Sequence, residues 1–255
     1  MFFDTHAHYD DEQFDDDREA LLSSMIEGGV GCIVNPGCTV ETSRRAVEFA
    51  QTYAHMYAAV GIHPENCHHV GEIEFGTIEA LAQEPKVVAI GEIGLDYYWE
   101  ENPPREVQKE VLARQMALAE KLDLPVVIHD RDAHGDCMDM VRAFPNVRGE
   151  FHCYSGSVED AKILLDRGWY LGFGGSLTFK NARKAPEVVA YMPLERLLLE
   201  TDAPYLTPVP YRGKRNNSKY LPLVAARVAE LKGIDAKEVE QAAWENSCRF
   251  FGIWN

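Results

Sequence analysis

At 255 residues with 46% hydrophobic side chains, the chain can bury a large core and has the length of one (β/α)8 barrel or of two small domains. A formal net charge of −16 argues against a broad nucleic-acid-binding face, because proteins that grip duplex DNA along its length present basic surfaces that release counterions. No run approaches the roughly 18 to 20 apolar residues that span a bilayer, and Met1-Phe2-Phe3-Asp4 lacks the basic and apolar regions of a signal peptide, so a cytoplasmic protein is expected.

Strand-like apolar runs recur along the whole chain. The first, Phe2-Phe3, leads at once into Asp4-Thr5-His6-Ala7-His8. Side chains alternate along a strand, so His6 and His8 leave it on one side and can share one cation. Asp4 has the same parity and either braces a ligand or is a buried structural carboxylate. The acidic cluster Asp10, Asp11, Glu12, Asp15, Asp16 and Asp17 reads as a solvated loop ending in the acidic first turn of a helix. Gly31 to Asn35 and Tyr57 to Ile62 are the next two strands, the second ending at His63. Val87 to Ile93 is the fourth and carries Glu92 in Gly91-Glu92-Ile93-Gly94. Tyr97, Tyr98 and Trp99 follow on a loop, where they either pack under it or stack on a base.

Val107, Val111, Leu118 and Leu122 show helical spacing. Pro125 to Ile128 then ends at His129, Gly149 to Phe151 ends at His152, Trp169 to Phe173 is the seventh strand, and Leu197 to Leu199 runs into Glu200-Thr201-Asp202. The main irregular stretch, Ala203 to Ser218, contains Pro204, Pro208 and Pro210. Leu221, Val224, Ala225, Val228 and Leu231 mark the next helix, and Asp235-x-x-Glu238 is a capping-box-like start to the last.

Eight such alternations with no Gly-x-Gly-x-x-Gly loop predict an α/β fold of the TIM-barrel type, one (β/α)8 domain over residues 1–255. In that fold active sites are built at C-terminal strand ends. Ionisable groups stand there on strands one, four, five, six and eight, which points to metal-assisted hydrolysis. The cysteines (Cys32, Cys38, Cys67, Cys137, Cys153 and Cys248) form no Cys-x-x-Cys pair, so a metal must rest on nitrogen and oxygen. His55, His68, His69 and His134 fall away from strand ends and read as surface or helix positions.

Seven stretches together resemble one family: Asp4-Thr5-His6-Ala7-His8, Gly61-Ile62-His63-Pro64-Glu65, Gly91-Glu92-Ile93-Gly94-Leu95-Asp96-Tyr97, His129-Asp130-Arg131-Asp132-Ala133, His152-Cys153-Tyr154-Ser155-Gly156, Glu200-Thr201-Asp202-Ala203-Pro204-Tyr205-Leu206 and Arg212-Gly213-Lys214-Arg215-Asn216. From end to end the sequence is similar to the TatD-like metal-dependent hydrolases of the amidohydrolase superfamily. Asn217-Ser218 stands where Glu-Pro often follows the Arg-Asn of that family, a departure that bears on substrate preference and leaves the metal site untouched.

The resemblance implies two divalent metal ions, and the number of donors agrees, since six ligands exceed one tetrahedral site. His6, His8 and Asp202 would hold the first, His129 and His152 the second, and Glu92 would bridge them, with Asp202 as proton acceptor for the attacking water. Histidine and carboxylate suit Zn or Mn by softness, while the family also uses Mg, so metal identity stays open. His63, Arg131 and Arg215 are candidate contacts for a substrate phosphate or carboxylate. Each has a structural alternative: His63 as a helix cap, Arg131 as partner of Asp132 or Glu92, and Arg215 as part of a solvated basic loop. The function implied is a deoxyribonuclease acting on DNA ends. Hydrolysis of a small ester, lactone or amide, including deacylation of an aminoacyl-tRNA, is the alternative, and a catalytically idle metal-binding scaffold a third. DNA ends or a small anionic substrate are therefore the expected partners, with no membrane and no obligate protein partner.

Overall fold

In the computed structural model, which describes residues 1–253, the alternation of short apolar and amphipathic runs becomes an eight-stranded parallel (β/α)8 barrel. Its strands are β1 (Phe2–Asp4), β2 (Val30–Pro36), β3 (Met56–Val60), β4 (Val87–Asp96), β5 (Val126–Arg131), β6 (Gly149–Phe151), β7 (Tyr170–Phe173) and β8 (Leu197–Leu199). Its helices are α1 (Arg18–Ser23), α2 (Val40–Thr52), α3 (Glu72–Leu81), α4 (Arg105–Leu122), α5 (His134–Ala143), α6 (Val158–Asp166), α7 (Lys184–Tyr191), α8 (Leu221–Lys232) and α9 (Ala236–Phe251). No helix among the described residues is long and apolar enough to cross a membrane. The last two residues of the expected 1–255 domain lie outside the described ones.

The chain divides into two compact units, one made of Met1–Asn35 with the segment that begins at His152, the other of Pro36–Phe151. In the first, β1 pairs with β2 and β7 with β8. Beyond Asp4 the backbone keeps its strand-like bonding: Thr5 N–H donates to the Leu199 carbonyl (3.1 Å), Ala7 N–H to Val34 (3.1 Å) and His8 N–H to Ala203 (2.7 Å). The period-two alternation read for His6 and His8 therefore continues past the strand itself. From α9, Phe251 stacks on Phe3 and Trp244 meets it edge-on, both at 5.8 Å, covering the outside of β1. Asp235 caps α9 by accepting from Lys237 N–H (2.7 Å), one residue before the Glu238 position that a capping box would use.

In the second unit β4 pairs with both β3 and β5, and β5 with β6. β4 extends three residues past Ile93, because Gly94, Leu95 and Asp96 pair with His129, Asp130 and Arg131. Gly94 sits at φ +151°, and a Cβ there would lie 2.0 Å from the His129 carbonyl oxygen, so glycine is what lets the strands approach. The register slips between Ile90 and Ile93, and such an irregularity re-aims the side chains inside it, Glu92 among them.

Helix α4 buries Val111, Leu112, Met116, Leu118 and Ala119, together with Gln108 and Gln115, whereas Val107 and Leu122 stay half-buried. The glutamines stand in for missing strand partners. Gln115 accepts from Ile62 N–H (2.8 Å) and donates to its carbonyl (3.0 Å), and Gln108 does the same for Asp96 (2.8 and 2.9 Å). Both backbone groups at the ends of β3 and β4 are thereby satisfied.

Candidate metal centre

The first unit gathers four ligand-type side chains. His6 is fully buried, and its Nε2 lies 3.1 Å from Nε2 of His8. Asp202 Oδ1 is 3.5 Å from the His8 nitrogen and 3.8 Å from the His6 nitrogen. The His152 ring stacks on His6 at 4.0 Å with planes 8° apart, and the ligand atoms of His6, His152 and Asp202 all fall within 4.8 Å of one another. Burial opposes ionisation of Asp202, but the His8 contact and the charge of His6 and His152 hold its carboxyl below the usual value. Asp202 adopts a left-handed backbone (φ +55°) while its N–H donates to the His6 carbonyl (2.9 Å), so β1's continuation sets its position.

Two buried carboxylates support this group. Asp4 Oδ1 accepts from Thr201 N–H (3.0 Å) and His6 N–H (3.3 Å), and Oδ2 from the Thr201 hydroxyl (2.6 Å), which ties the end of β1 to the segment carrying Asp202. Burial pushes its carboxyl up to about 6. Glu200 Oε1 accepts from Cys153 N–H at 2.6 Å and lies 3.9 Å from His152 Nδ1, so it anchors the turn that presents that imidazole. Glu200 is legible in hindsight as the residue two before Asp202 with the same strand parity.

In the second unit Glu92 is the hub. Its Oε1 is 3.0 Å from His129 Nδ1 and 3.5 Å from His63 Nε2, and Oε2 is 3.8 Å from the Cys38 thiol. His63, Glu92 and His129 also bring ligand atoms within 4.8 Å of one another. His129 Nε2 lies 3.0 Å from Asp96 Oδ2, the carboxylate–imidazole arrangement that orients a metal-binding histidine from behind. Burial pulls the His129 imidazole down, but its bonds to Asp96 and Glu92 outweigh that and raise it to about 10. Burial and the neighbouring His129 lower His63. His63 also caps the 3₁₀ turn that follows, its Nδ1 accepting from Glu65 N–H at 3.3 Å.

The remaining candidates lie outside these clusters. Arg131 is exposed at the end of β5, its guanidinium 3.9 Å from the ring centre of Tyr98. Arg215 forms a forked pair with Asp17 (2.9 and 2.6 Å), donates to the Gln13 carbonyl (2.6 Å) and lies over Phe14. It braces the loop 203–218 against the segment after β1, a contact between residues 198 apart that no local pattern reveals. His134 bonds Asp130, its fourth neighbour in sequence, and His68 and His69 lie in the 3₁₀ turn Pro64–His69.

The donor set suits divalent cations. Imidazole nitrogens and carboxylate oxygens converge, one carboxylate is held ionised, and one histidine is oriented through its far nitrogen.

Comparison with known proteins gives concordant matches. The family described as "TatD related DNase" matches residues 3–252. A Bacillus subtilis protein named "Uncharacterized metal-dependent hydrolase YabD" is 44% identical, covering 99% of this chain and 100% of that protein. A Cronobacter turicensis protein named "3′-5′ ssDNA/RNA exonuclease TatD" is 36% identical over 98% and 97% of the two chains. The crystal structure of the Escherichia coli TatD homologue YJJV superposes with a TM-score of 0.93 at 33% identity, covering 99% of this chain and 98% of that one.

Proposed function

Because the chain belongs to the TatD-related DNase family and is a metal-dependent hydrolase, we propose that it removes nucleotides from the ends of single-stranded DNA by hydrolysing phosphodiester bonds. The observation that carries this is the pair of histidine–carboxylate clusters, each with ligand atoms within 4.8 Å. His6, His8 and Asp202 would hold one cation, His129 and His152 a second, and Glu92 would give an oxygen to each. Two divalent cations so held would acidify a water and neutralise charge on the scissile phosphate.

The chain's own side chains do the rest. Asp202, kept ionised by its imidazole neighbours, takes the proton of the attacking water. Asp96 keeps His129 turned toward Glu92, and Glu200 and Asp4 hold the turns bearing His152 and Asp202. His63, its Nδ1 occupied by the turn and its Nε2 3.5 Å from Glu92 Oε1, would meet a substrate phosphate only beside that carboxylate. Arg131 supplies a guanidinium at the rim, and Arg215 acts at one remove by fixing its loop through Asp17. The name of the Cronobacter relative supports action from 3′ ends and on RNA as well as DNA. A net charge of −16 favours a few gripped nucleotides over a wrapped duplex.

Metal-stripped protein reloaded with Mg²⁺, Mn²⁺ or Zn²⁺ should be offered end-labelled single strands, duplex, closed circular duplex, RNA and an ester and lactone panel. Stepwise loss of nucleotides from 3′ ends, absent in Glu92→Ala, is expected. Turnover confined to the esters or lactones would replace the nuclease with a small-molecule hydrolase, and nicking of closed circles would exclude end-dependent action.

A further inference from the structure

We propose that Tyr98, Trp99 and Arg131 form a stacking platform that holds bases of a single strand beside His129. This rests on the nuclease reading and specifies how that substrate is gripped. The three aromatic residues after β4 have different fates. Tyr97 is pinned: its hydroxyl donates to Asp136 (2.7 Å), its N–H donates to the Arg131 carbonyl (2.9 Å), and Arg105 covers its ring at 4.2 Å. Tyr98 and Trp99 are left 50% and 44% exposed, their rings meeting edge-to-face at 4.6 Å and 89°. The Arg131 guanidinium sits 3.9 Å from the Tyr98 ring centre and 5.3 Å from that of Trp99.

Asp96 connects this cluster to the metal-ligand side chains. One of its oxygens accepts from Tyr98 N–H (3.0 Å) while the other lies 3.0 Å from His129 Nε2. A base on the platform is thus one side chain away from a candidate ligand. Charge selects the occupant. Glu100, Glu101 and Asp132 adjoin the platform in sequence, and the chain carries −16 overall, so long-range attraction to phosphates contributes little here and contact with the bases themselves must supply the affinity. Stacking on a π-face is indifferent to that charge and to base identity, which fits an unpaired strand whose bases are free to splay. A paired duplex hides those faces.

The test uses the metal-free full-length protein, so that binding is read without turnover, and anisotropy of a fluorescein-labelled thymidine hexamer against an abasic strand of equal length. The parent should prefer the thymidine strand. Tyr98→Ala/Trp99→Ala should lose about 5- to 100-fold of that affinity with abasic binding and thermal midpoint unchanged, and Trp99→Phe should retain most of it. With one guanidinium at the contact, the logarithm of affinity should fall with the logarithm of salt at a slope of roughly −0.7, flattening in Arg131→Ala. Equal binding of the two strands by the parent, or parent-like thymidine binding by the double variant, would overturn the platform. If metal-loaded parent still degrades single strands in that case, the nuclease reading stands and only the platform falls. If no strand is degraded or bound, both fall.

Discussion

Asp202 is surrounded by His6, His8 and His152, and the two jobs proposed for it are separable by a substitution that keeps one and removes the other. Asn retains a neutral oxygen for coordination but cannot take a proton, so Asp202→Asn should keep appreciable metal while losing about 10²- to 10⁴-fold in turnover. Glu92→Ala should lose metal and turnover together, because it removes the charge proposed to offset repulsion between two cations. Metal content by mass spectrometry beside turnover on one preparation decides both; two metals retained in Glu92→Ala would refute the bridge. Away from the metal ligands, the Tyr97–Asp136 bond has a pH signature. The Tyr97 hydroxyl, and after it Lys109, lowers the Asp136 carboxyl against the opposing effect of burial. A depressed carboxylate contributes stability above its ordinary value of 3.8, and that contribution is lost as pH falls through the depressed value. A double-mutant cycle of Tyr97→Phe and Asp136→Asn should therefore give a coupling of about 0.5 to 1 kcal/mol at neutral pH, vanishing in acid. Coupling that persisted in acid would rule out an ionised acceptor.

Helix α4 and strand β6 show how single elements carry polar groups through a buried setting. Gln115 satisfies both backbone groups of Ile62, the residue before His63. Gln115→Leu, similar in size, would strand a buried donor and acceptor and should destabilise the fold by about 2 to 4 kcal/mol, read from denaturant midpoints. A shift below about 0.5 kcal/mol would mean that water replaces the amide. Strand β6 holds the opposite case. Glu150 is fully buried, and neither carboxylate oxygen has a hydrogen-bond partner among the described residues. Burial alone raises its carboxyl well above the usual 4.5, so its contribution is intact below that value and is lost as pH rises toward the raised one. Glu150→Gln, neutral throughout, should gain on the parent in thermal midpoint as pH rises above the usual 4.5. Parallel pH profiles for the two proteins would show that the carboxyl is not desolvated.

For the whole molecule, 41 acidic against 25 basic side chains make self-repulsion a general destabilising force. Raising sodium chloride from about 10 to 150 mM shortens the screening length from about 30 to 8 Å and should raise the thermal midpoint; a midpoint that fell would mean that attractive pairs such as Arg215–Asp17 dominate instead. The strand–helix alternation was legible because it is local: each run of apolar residues holds a strand, although β3 stops at Val60, two residues short of Ile62, and β4 and β5 both outrun their apolar stretches because Gly94 to Asp96 pair with His129 to Arg131. The parity of His6 and His8, and the donor types at strand ends, follow equally from residue order and chain geometry. Other features were decided by tertiary structure. Periodicity marked Val107 and Leu122 as inward where α4 buries Gln108 and Gln115, because the strand ends opposite them needed hydrogen bonds more than apolar cover. Asp96 behind His129, Asp4 on Thr201 and Asp17 on Arg215 join residues 33, 197 and 198 positions apart. Residue order determined which chemistry the chain carries and the alternation that builds its barrel. Which carboxylate meets which imidazole, guanidinium or orphaned amide depends on distances that exist only after the elements pack, so only the tertiary structure could assign them.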